Sequence, residues 1–265
     1  MHPMLNIAVR AARRGGDIIV RHVDRVQGLK IDTKSRHDYV SEVDRLVEAA
    51  IIDTLRKAYP AHGILAEESG LEGPEDCLWV IDPLDGTTNF LHGFPQFAVS
   101  IAFKRKGVLE QAVVYDPLRG ELFTATRGEG AMLNDRRIRV SNRAGLDGAL
   151  IGTGFPFRGL ERLDAYLAAL KAVIPLCAGI RRAGAAALDL AYVASGRLDG
   201  FWEIGLKEWD MAAGALLILE AGGLVSDDLD RYDYLTSGNI VAGSPRVHRD
   251  LLKTLDPFLL SGPLP

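Results

Sequence analysis

The stretch Leu78-Trp79-Val80-Ile81-Asp82-Pro83-Leu84-Asp85-Gly86-Thr87-Thr88-Asn89 decides how this chain is interpreted. Its first four residues are a short apolar run, which predicts a buried strand. Asp82 and Asp85 follow. Because Pro83 fixes one backbone torsion and Gly86 permits a sharp bend, we expect the strand to end in a tight turn that directs both carboxylates toward one point.

The chemistry of this stretch points to a metal and a phosphate. Two converging carboxylates repel each other unless a cation lies between them, and hard oxygen ligands favour Mg²⁺ or Mn²⁺. Gly86, Thr87 and Thr88 then offer backbone N–H groups and hydroxyls suited to a phosphate. The stretch therefore predicts metal-assisted phosphoryl chemistry. The alternative is a solvated turn, because Asp-Pro and Asp-Gly pairs are common turn formers.

A second acidic step, Glu67-Glu68-Ser69, follows the apolar run 64–66, which also predicts a strand. Acids at the ends of neighbouring strands are where open α/β sheets collect ligands. The alternative is an exposed pair of glutamates before a glycine-rich loop at 70–74.

A third acid, Asp210, follows Trp209 and precedes the apolar stretch 211–219, which predicts a buried helix. An Asp directly before a helix is usually its N-cap. A capping Asp can also bind a metal through its other oxygen, so the two roles are compatible.

These blocks together resemble the inositol monophosphatase family of Mg²⁺-dependent, lithium-sensitive phosphatases. The similarity is carried by 67–69, by 79–90 and by Trp209-Asp210-Met211-Ala212-Ala213-Gly214 leading to Glu220-Ala221-Gly222-Gly223, in matching order and spacing. The opening residues 1–10 and Arg181-Arg182-Ala183-Gly184 are similar to the bacterial SuhB-type members of the family.

The resemblance implies an α+β or α/β fold, a layered αβαβα sandwich that usually forms a homodimer. We expect one domain over 1–265, with a metal-site half at about 1–145 and a substrate-recognition half at about 146–265. It also implies hydrolysis of myo-inositol 1-phosphate or a related small phosphate monoester, with two to three Mg²⁺ ions that Mn²⁺ can replace.

The resemblance implies roles for the residues that match the family's motifs. Glu67, Asp82 and the Leu84 carbonyl would hold one ion, and Asp82, Asp85 and Asp210 a second. The catalytic residues implied are Asp44, Thr87 and Glu67, with Asp44 and Thr87 as the water-activating pair. Those implied for substrate binding are Leu84, Asp85, Gly86, Thr87, Arg181, Gly184, Ala185, Ala186, Glu203 and Asp210.

Some of these roles have alternatives. Asp44 also fits a capping box with Ser41. Arg181 would contact either the substrate or a dimer mate, or form a surface ion pair. Many relatives have a hydroxyl residue where this chain has Ala185, which leaves only backbone contacts there.

Composition argues against nucleic-acid and membrane classes. The chain has 265 residues, 48% of them hydrophobic and 25% charged, with a net charge of −4, so we expect no direct nucleic-acid binding. Cys77 and Cys177 show no metal or redox spacing. We find no signal peptide or membrane span, and expect a cytoplasmic enzyme.

Periodicity predicts the remaining elements. Helices are expected at 4–21 and 41–59, and an antiparallel meander at 97–103, 108–115 and 121–126. Further candidates are strands at 149–153, 200–204, 223–226 and 239–242, helices at 160–173, 185–194, 210–221 and 245–255, and a frayed tail at 258–265.

Three functions stay open. The first is an inositol-1-phosphate phosphatase. The second is a phosphatase of another small monoester, such as a sugar bisphosphate, a nucleoside 3'-phosphate or histidinol phosphate. The third, implied by the SuhB-type resemblance, is binding to proteins of transcription antitermination and ribosomal RNA synthesis beside catalysis.

Overall fold

The secondary structure follows the predicted periodicity closely. It was obtained from a computed structural model that describes residues 2–28, 31–35, 38–156, 160–229 and 231–259. The helices are α1 (Pro3–His22), α2 (Glu42–Ala58), α3 (Thr87–Leu91), α4 (Leu163–Val173), α5 (Ala186–Ala194), α6 (Glu208–Glu220), α7 (Tyr234–Ser237) and α8 (Pro245–Leu259). Short 3₁₀ turns span Val23–Gly28, Leu160–Arg162 and Ile174–Leu176.

The strands are β1 (Ile31–Ser35), β2 (Asp38–Ser41), β3 (Gly63–Ala66), β4 (Gly70–Glu72), β5 (Cys77–Asp85), β6 (Ala98–Arg105), β7 (Val108–Asp116), β8 (Glu121–Thr126), β9 (Gly130–Leu133), β10 (Arg136–Arg137), β11 (Leu150–Thr153), β12 (Gly179–Arg181), β13 (Gly200–Glu203), β14 (Leu224–Ser226) and β15 (Ile240–Gly243).

These strands form a hairpin and two larger sheets. The eight-stranded sheet has the order β10-β9-β8-β7-β6-β5-β3-β4, and the five-stranded sheet has the order β12-β11-β13-β15-β14. The predicted meander is confirmed, because β6, β7 and β8 pair antiparallel. Strands β3 and β5 are parallel, and β11 is parallel to both β12 and β13.

Apolar side chains stack the helices and sheets into five layers. One cluster joins the inner faces of α1 and α2 to one face of the eight-stranded sheet, for example Val47 and Ile51 to Ile101. A second places α5 and α6 between the two sheets. A third packs α4 and α8 on the far face of the five-stranded sheet. The predicted layered αβαβα sandwich is confirmed. That it is a single domain stays a prediction.

The structure corrects three local expectations. The expected loop at 70–74 contains β4, because Leu71 pairs with Leu65 of β3. The expected frayed tail begins inside α8, because Phe258 packs with Leu255 against the third cluster and the helix continues through Pro257. The rest of that tail lies outside the described residues. The hairpin β1–β2 was not predicted.

Within the described ranges, no helix combines the length and the apolar character that crossing a bilayer requires.

Candidate active site

Strand β5 carries Asp82 and Asp85, and it runs four residues further than expected. The chain stays extended through Asp85 and bends only at Gly86, whose φ of 92° is left-handed. The strand continues because its pairing with β6 persists, with Asp82 opposite Ser100 and Asp85 opposite Ala98. The predicted sharp bend at Gly86 is confirmed, but the strand that was expected to end at Ile81 includes both acids.

That pairing contains a bulge between the two acids. Residues three apart on a regular strand point to opposite faces. Here the three-residue step from Asp82 to Asp85 on β5 lies opposite the two-residue step from Ser100 to Ala98 on β6, so β5 contains one extra residue. The extra residue returns the Asp85 side chain to the face that carries Asp82. Since Ser100 and Ala98 share a face, Asp82 and Asp85 share one too. Pro83 fits in the bulge because it has no N–H to donate to the ladder.

Glu67 reaches the same edge of the sheet from β3. Ala66 is paired with Ile81 in the parallel ladder, and the Glu67 backbone N–H donates to the Ile81 carbonyl at 3.2 Å. Glu67 and Asp82 therefore follow neighbouring positions on adjacent strands, as the sequence predicted.

Asp210 comes from the layer between the sheets. Helix α6 begins at Glu208, so Asp210 is its third residue, and the prediction that it is the N-cap is wrong. Its Oδ2 accepts a hydrogen bond from the backbone N–H of the N-cap residue, Lys207, at 2.7 Å. This is the acidic half of a capping box. The other half needs a side-chain acceptor, which lysine lacks.

Burial and mutual repulsion together raise the pKa values of these acids. Asp82 and Asp85 are 2% and 7% exposed. Burial, then the charges of Glu67, Asp85 and Asp210, raise the pKa of Asp82 well above its usual range. Burial and then Asp210 raise the pKa of Asp85, although a hydrogen bond from the Ala187 backbone opposes the shift. A cation between these groups would relieve the repulsion.

The donor set suits a hard divalent ion. Among the described residues, no group of three or more His, Cys, Asp or Glu side chains has the arrangement of a formed metal site. However, every charged group that shifts the pKa of Asp82 is itself a carboxylate. Carboxylates and a backbone carbonyl are the ligands that Mg²⁺ prefers.

These residues open into one cavity of about 620 Å³. Both halves of the chain line it. The predicted site residues on its wall are Glu67, Asp82, Leu84, Asp85, Gly86, Thr87, Gly184, Ala186, Glu203 and Asp210.

Three predicted site residues lie off this wall. Asp44 is fully buried behind Thr87, and Ala185 is buried at the N-cap of α5. Arg181 is exposed at the end of the edge strand β12, and its neighbour Arg182 lines the cavity instead.

The two carboxylate oxygens of Asp44 accept hydrogen bonds from different residues. Oδ2 accepts hydrogen bonds from the Ser41 backbone N–H and hydroxyl at 2.8 and 2.5 Å, so the predicted capping box is confirmed. Oδ1 accepts from the Thr87 hydroxyl at 2.9 Å. Burial raises the pKa of Asp44, although the bonds from Ser41 and Thr87 oppose the shift. The capping role therefore leaves Oδ1 to accept from Thr87, and the catalytic role of Asp44 stays a prediction.

Two contacts tie the substrate-recognition half to this edge. The Ala187 backbone N–H, in the first turn of α5, donates to Asp85 Oδ2 at 2.7 Å. Asn89 Nδ2 lies 2.9 Å from the Ala183 carbonyl and 3.2 Å from that of Gly184. Ala185, the N-cap, has no side-chain acceptor, so Asp85 caps α5 from a distant part of the chain.

Sequence reasoning missed the role of Glu48. Its side chain is 4% exposed on α2, one turn after Asp44. Its Oε2 accepts a hydrogen bond from the Glu68 backbone N–H at 2.9 Å, next to Glu67. An acid on the apolar face of a predicted helix was the available signal.

Known proteins share this sequence and fold. Residues 1–257 match the inositol monophosphatase family. The Nus factor SuhB of Pseudomonas aeruginosa is 59% identical over 265 residues, 98% of each chain. The extragenic suppressor protein suhB of Bartonella henselae is 47% identical, with a TM-score of 0.93 over 96% of this chain and 98% of that one. The inositol monophosphatase of Anabaena is 38% identical, with a TM-score of 0.86 over 98% of this chain and 96% of that one. The chain belongs to the inositol monophosphatase family.

Proposed function

We propose that this chain is a Mg²⁺-dependent phosphomonoesterase that hydrolyses myo-inositol 1-phosphate to inositol and inorganic phosphate. The observation that carries the proposal is the bulge in β5. It places Asp82 and Asp85, two buried and mutually repelling carboxylates, on one face of the strand. The family supports phosphatase chemistry at this position.

Five residues would hold the metal. Glu67, Asp82 and the Leu84 carbonyl would bind one Mg²⁺, and Asp82, Asp85 and Asp210 a second, with Mn²⁺ as a substitute. Bound there, the ions would polarise the phosphoryl group and lower the pKa of a nearby water.

The chain's own groups orient the reactants. The Thr87 hydroxyl donates a hydrogen bond to Asp44. Because Thr87 also lines the cavity, its oxygen can accept a hydrogen bond from a water there. Backbone N–H groups of Gly86 and Thr87 would hold phosphate oxygens. This positioning would place the water in line with the phosphorus atom.

The other half of the chain would recognise the alcohol. The Glu203 carboxylate would accept hydrogen bonds from polyol hydroxyls, and Gly184 and Ala186 would approach the substrate through their backbone. Ala185 would contribute only backbone. Arg181, exposed and outside the cavity wall, is better placed for the proposed homodimer than for the substrate.

A panel of phosphate monoesters tests the substrate. Turnover with Mg²⁺ would be compared for inositol 1-phosphate, a sugar bisphosphate, a nucleoside 3'-phosphate and histidinol phosphate. We expect the inositol ester to be among the best substrates. If it is hydrolysed far more slowly than all the others, this substrate is wrong and the second phosphatase function replaces it.

Two variants test the site. Asp85→Asn should lose metal affinity and nearly all turnover while circular dichroism remains that of the wild type. Glu203→Ala should mainly raise KM and blur the substrate preference. Unchanged turnover in Asp85→Asn would remove this residue from the mechanism.

A second function is favoured by the 59% identity to a protein named Nus factor SuhB. We propose that the chain, located in the cytoplasm, also binds proteins of the transcription complex without contacting nucleic acid directly. Pull-down of purified transcription proteins would be compared for the wild type and Asp85→Asn. Retained binding without turnover would show a separate function, and no binding by either form would refute it.

A further inference from the structure

This inference rests on the proposed function and concerns its specificity. Strand β11 and the residue after it read Gly152-Thr153-Gly154. Side chains alternate between the two faces of a sheet, so Gly152 and Gly154 share one face of β11. The Thr153 hydroxyl points the other way, where it lies 2.9 Å from the Tyr166 hydroxyl. The face of β11 toward the middle helix layer therefore carries no side chain over these three positions.

Side chains of strand β13 occupy the space left open on this face. It runs parallel to β11, with Phe201 paired to Gly152 and Trp202 to Thr153. A Cβ placed on Gly152 would lie 2.9 Å from Phe201 Cδ2 and 2.9 Å from Leu198 Cδ1. The next two residues along the strands are Gly154 and Glu203. A Cβ placed on Gly154 would overlap the carboxyl group of Glu203. The side chains of Phe201 and Glu203 therefore extend over β11, and only a glycine at position 154 leaves room for the carboxylate.

The position of Glu203 over Gly154 brings its charge into the cavity. Both residues lie on the cavity wall. The carboxylate therefore lines the same cavity as the proposed metal ligands Asp82, Asp85 and Asp210.

We propose that Gly154 is a specificity-determining residue. By leaving β11 without a side chain at this point, it lets the Glu203 carboxylate lie inside the cavity and accept hydrogen bonds from the hydroxyls of a polyol phosphate. A side chain at position 154 would displace the carboxylate and shift preference toward monoesters of alcohols without further hydroxyls.

A double-mutant cycle tests this coupling. Gly154→Ala, Glu203→Ala and the double variant would be assayed with Mg²⁺ on inositol 1-phosphate and on phenyl phosphate, whose alcohol has no further hydroxyl. Each single variant should raise KM for the inositol ester by about tenfold, the value of one or two lost hydrogen bonds. The KM for phenyl phosphate should rise far less, because its alcohol offers the carboxylate no further hydroxyl. In the Glu203→Ala background, Gly154→Ala should add nothing, because the group it displaces is absent.

A second pair of variants separates displacement from general damage. Glu203→Asp shortens the side chain by one methylene, so it should partly restore inositol 1-phosphate affinity to Gly154→Ala. Gly152→Ala, which crowds Phe201 and Leu198 instead, should lower the melting temperature and leave the ratio of the two KM values as in the wild type.

Several results would overturn the proposal. Additive effects in the cycle, equal losses on both esters, or an unmoved Glu203 carboxylate in a crystal structure of Gly154→Ala would each do so. If the wild type hydrolyses neither ester, the phosphatase function fails on its own, and that crystal structure still decides the role of Gly154. If Gly154→Ala does not fold while Gly154→Ala/Glu203→Asp does, the steric coupling is supported.

Discussion

At the scale of the residue, the buried acid Asp189 on α5 makes the fold sensitive to pH. It is 2% exposed, and burial raises its pKa from 3.8 to about 8, although Arg182 opposes the shift. The folded protein therefore holds a proton that the unfolded chain releases near pH 3.8. This protonation favours the folded state fully below the unfolded pKa, and the advantage is lost as the pH rises through the folded pKa.

Asp189→Asn should remove this pH dependence, because the amide resembles the protonated acid in shape and cannot ionise. In EDTA, its gain in stability over the wild type should grow between pH 5 and pH 8 by at most about 1.4 kcal/mol per pH unit. Thermal melts at the two pH values measure this difference. A gain that is constant, or that shrinks toward pH 8, would contradict a neutral Asp189 in the folded state.

Single residues also show how far sequence reasoning reaches. The apolar runs predicted that Glu67, Asp82 and Asp85 follow the ends of strands, and the family resemblance implied that Asp210 joins them. Neither predicted how Asp82 and Asp85 come to share a face. That depends on the bulge opposite β6, which is a property of the pairing between two strands and leaves no local pattern.

At the scale of the element, α2 supports both proposed chemical roles. Asp44 holds Thr87, and Glu48, one turn later, holds the backbone after Glu67. Partners of this kind orient groups that contact a metal, and their loss typically weakens metal binding. Helix α2 thus contacts both the start of α3 and the segment after β3.

Glu48→Ala should weaken Mg²⁺ binding by about tenfold, because the Glu67 segment loses its anchor. Glu48→Gln should stay near the wild type, since its amide oxygen can still accept from the Glu68 N–H. Calorimetric titration with Mg²⁺ measures both. Glu42→Gln, on the same helix, is the control for lost charge. Wild-type affinity in Glu48→Ala would refute the anchoring role.

Elements differ in how well the sequence predicts them. The long helices α1, α2 and α6 and the meander strands carry clear periodicity and were predicted. Strands β4 and β12 were missed because each contains a single apolar residue and exists through its neighbour in the sheet. Helix α6 was predicted to begin at Asp210, but it begins at Glu208 with Lys207 as its N-cap.

At the scale of the whole molecule, the cavity is lined by carboxylates from both halves of the chain. With the proposed ions absent, the acids at the sheet edge repel one another, and burial keeps them from water. A ligand that binds only the folded state stabilises it by a free energy that grows with the logarithm of its concentration above Kd. The folded molecule as a whole should therefore respond to divalent cations.

Saturating Mg²⁺ should raise the melting temperature of EDTA-treated protein, because it relieves this repulsion. At a hundredfold excess over Kd the gain is about 2.7 kcal/mol. Asp82→Asn should abolish most of the gain, whereas a surface change such as Asp53→Asn should keep it. Differential scanning calorimetry makes the comparison. No Mg²⁺-dependent shift in the wild type would count against a metal site.

The extra residue in β5 also constrains how this gene can change. An in-frame deletion of the codon for Pro83 or Leu84 would keep both acids and most of the apolar strand, yet it would remove the bulge and leave the two acids one residue closer in the chain. Two residues apart on a regular strand, they would still share a face, but the chain would reach Gly86 one step early and pull Thr87 away from Asp44. Single-codon deletions here should therefore keep Asp82 and Asp85 on one face while they move the Thr87 hydroxyl away from Asp44.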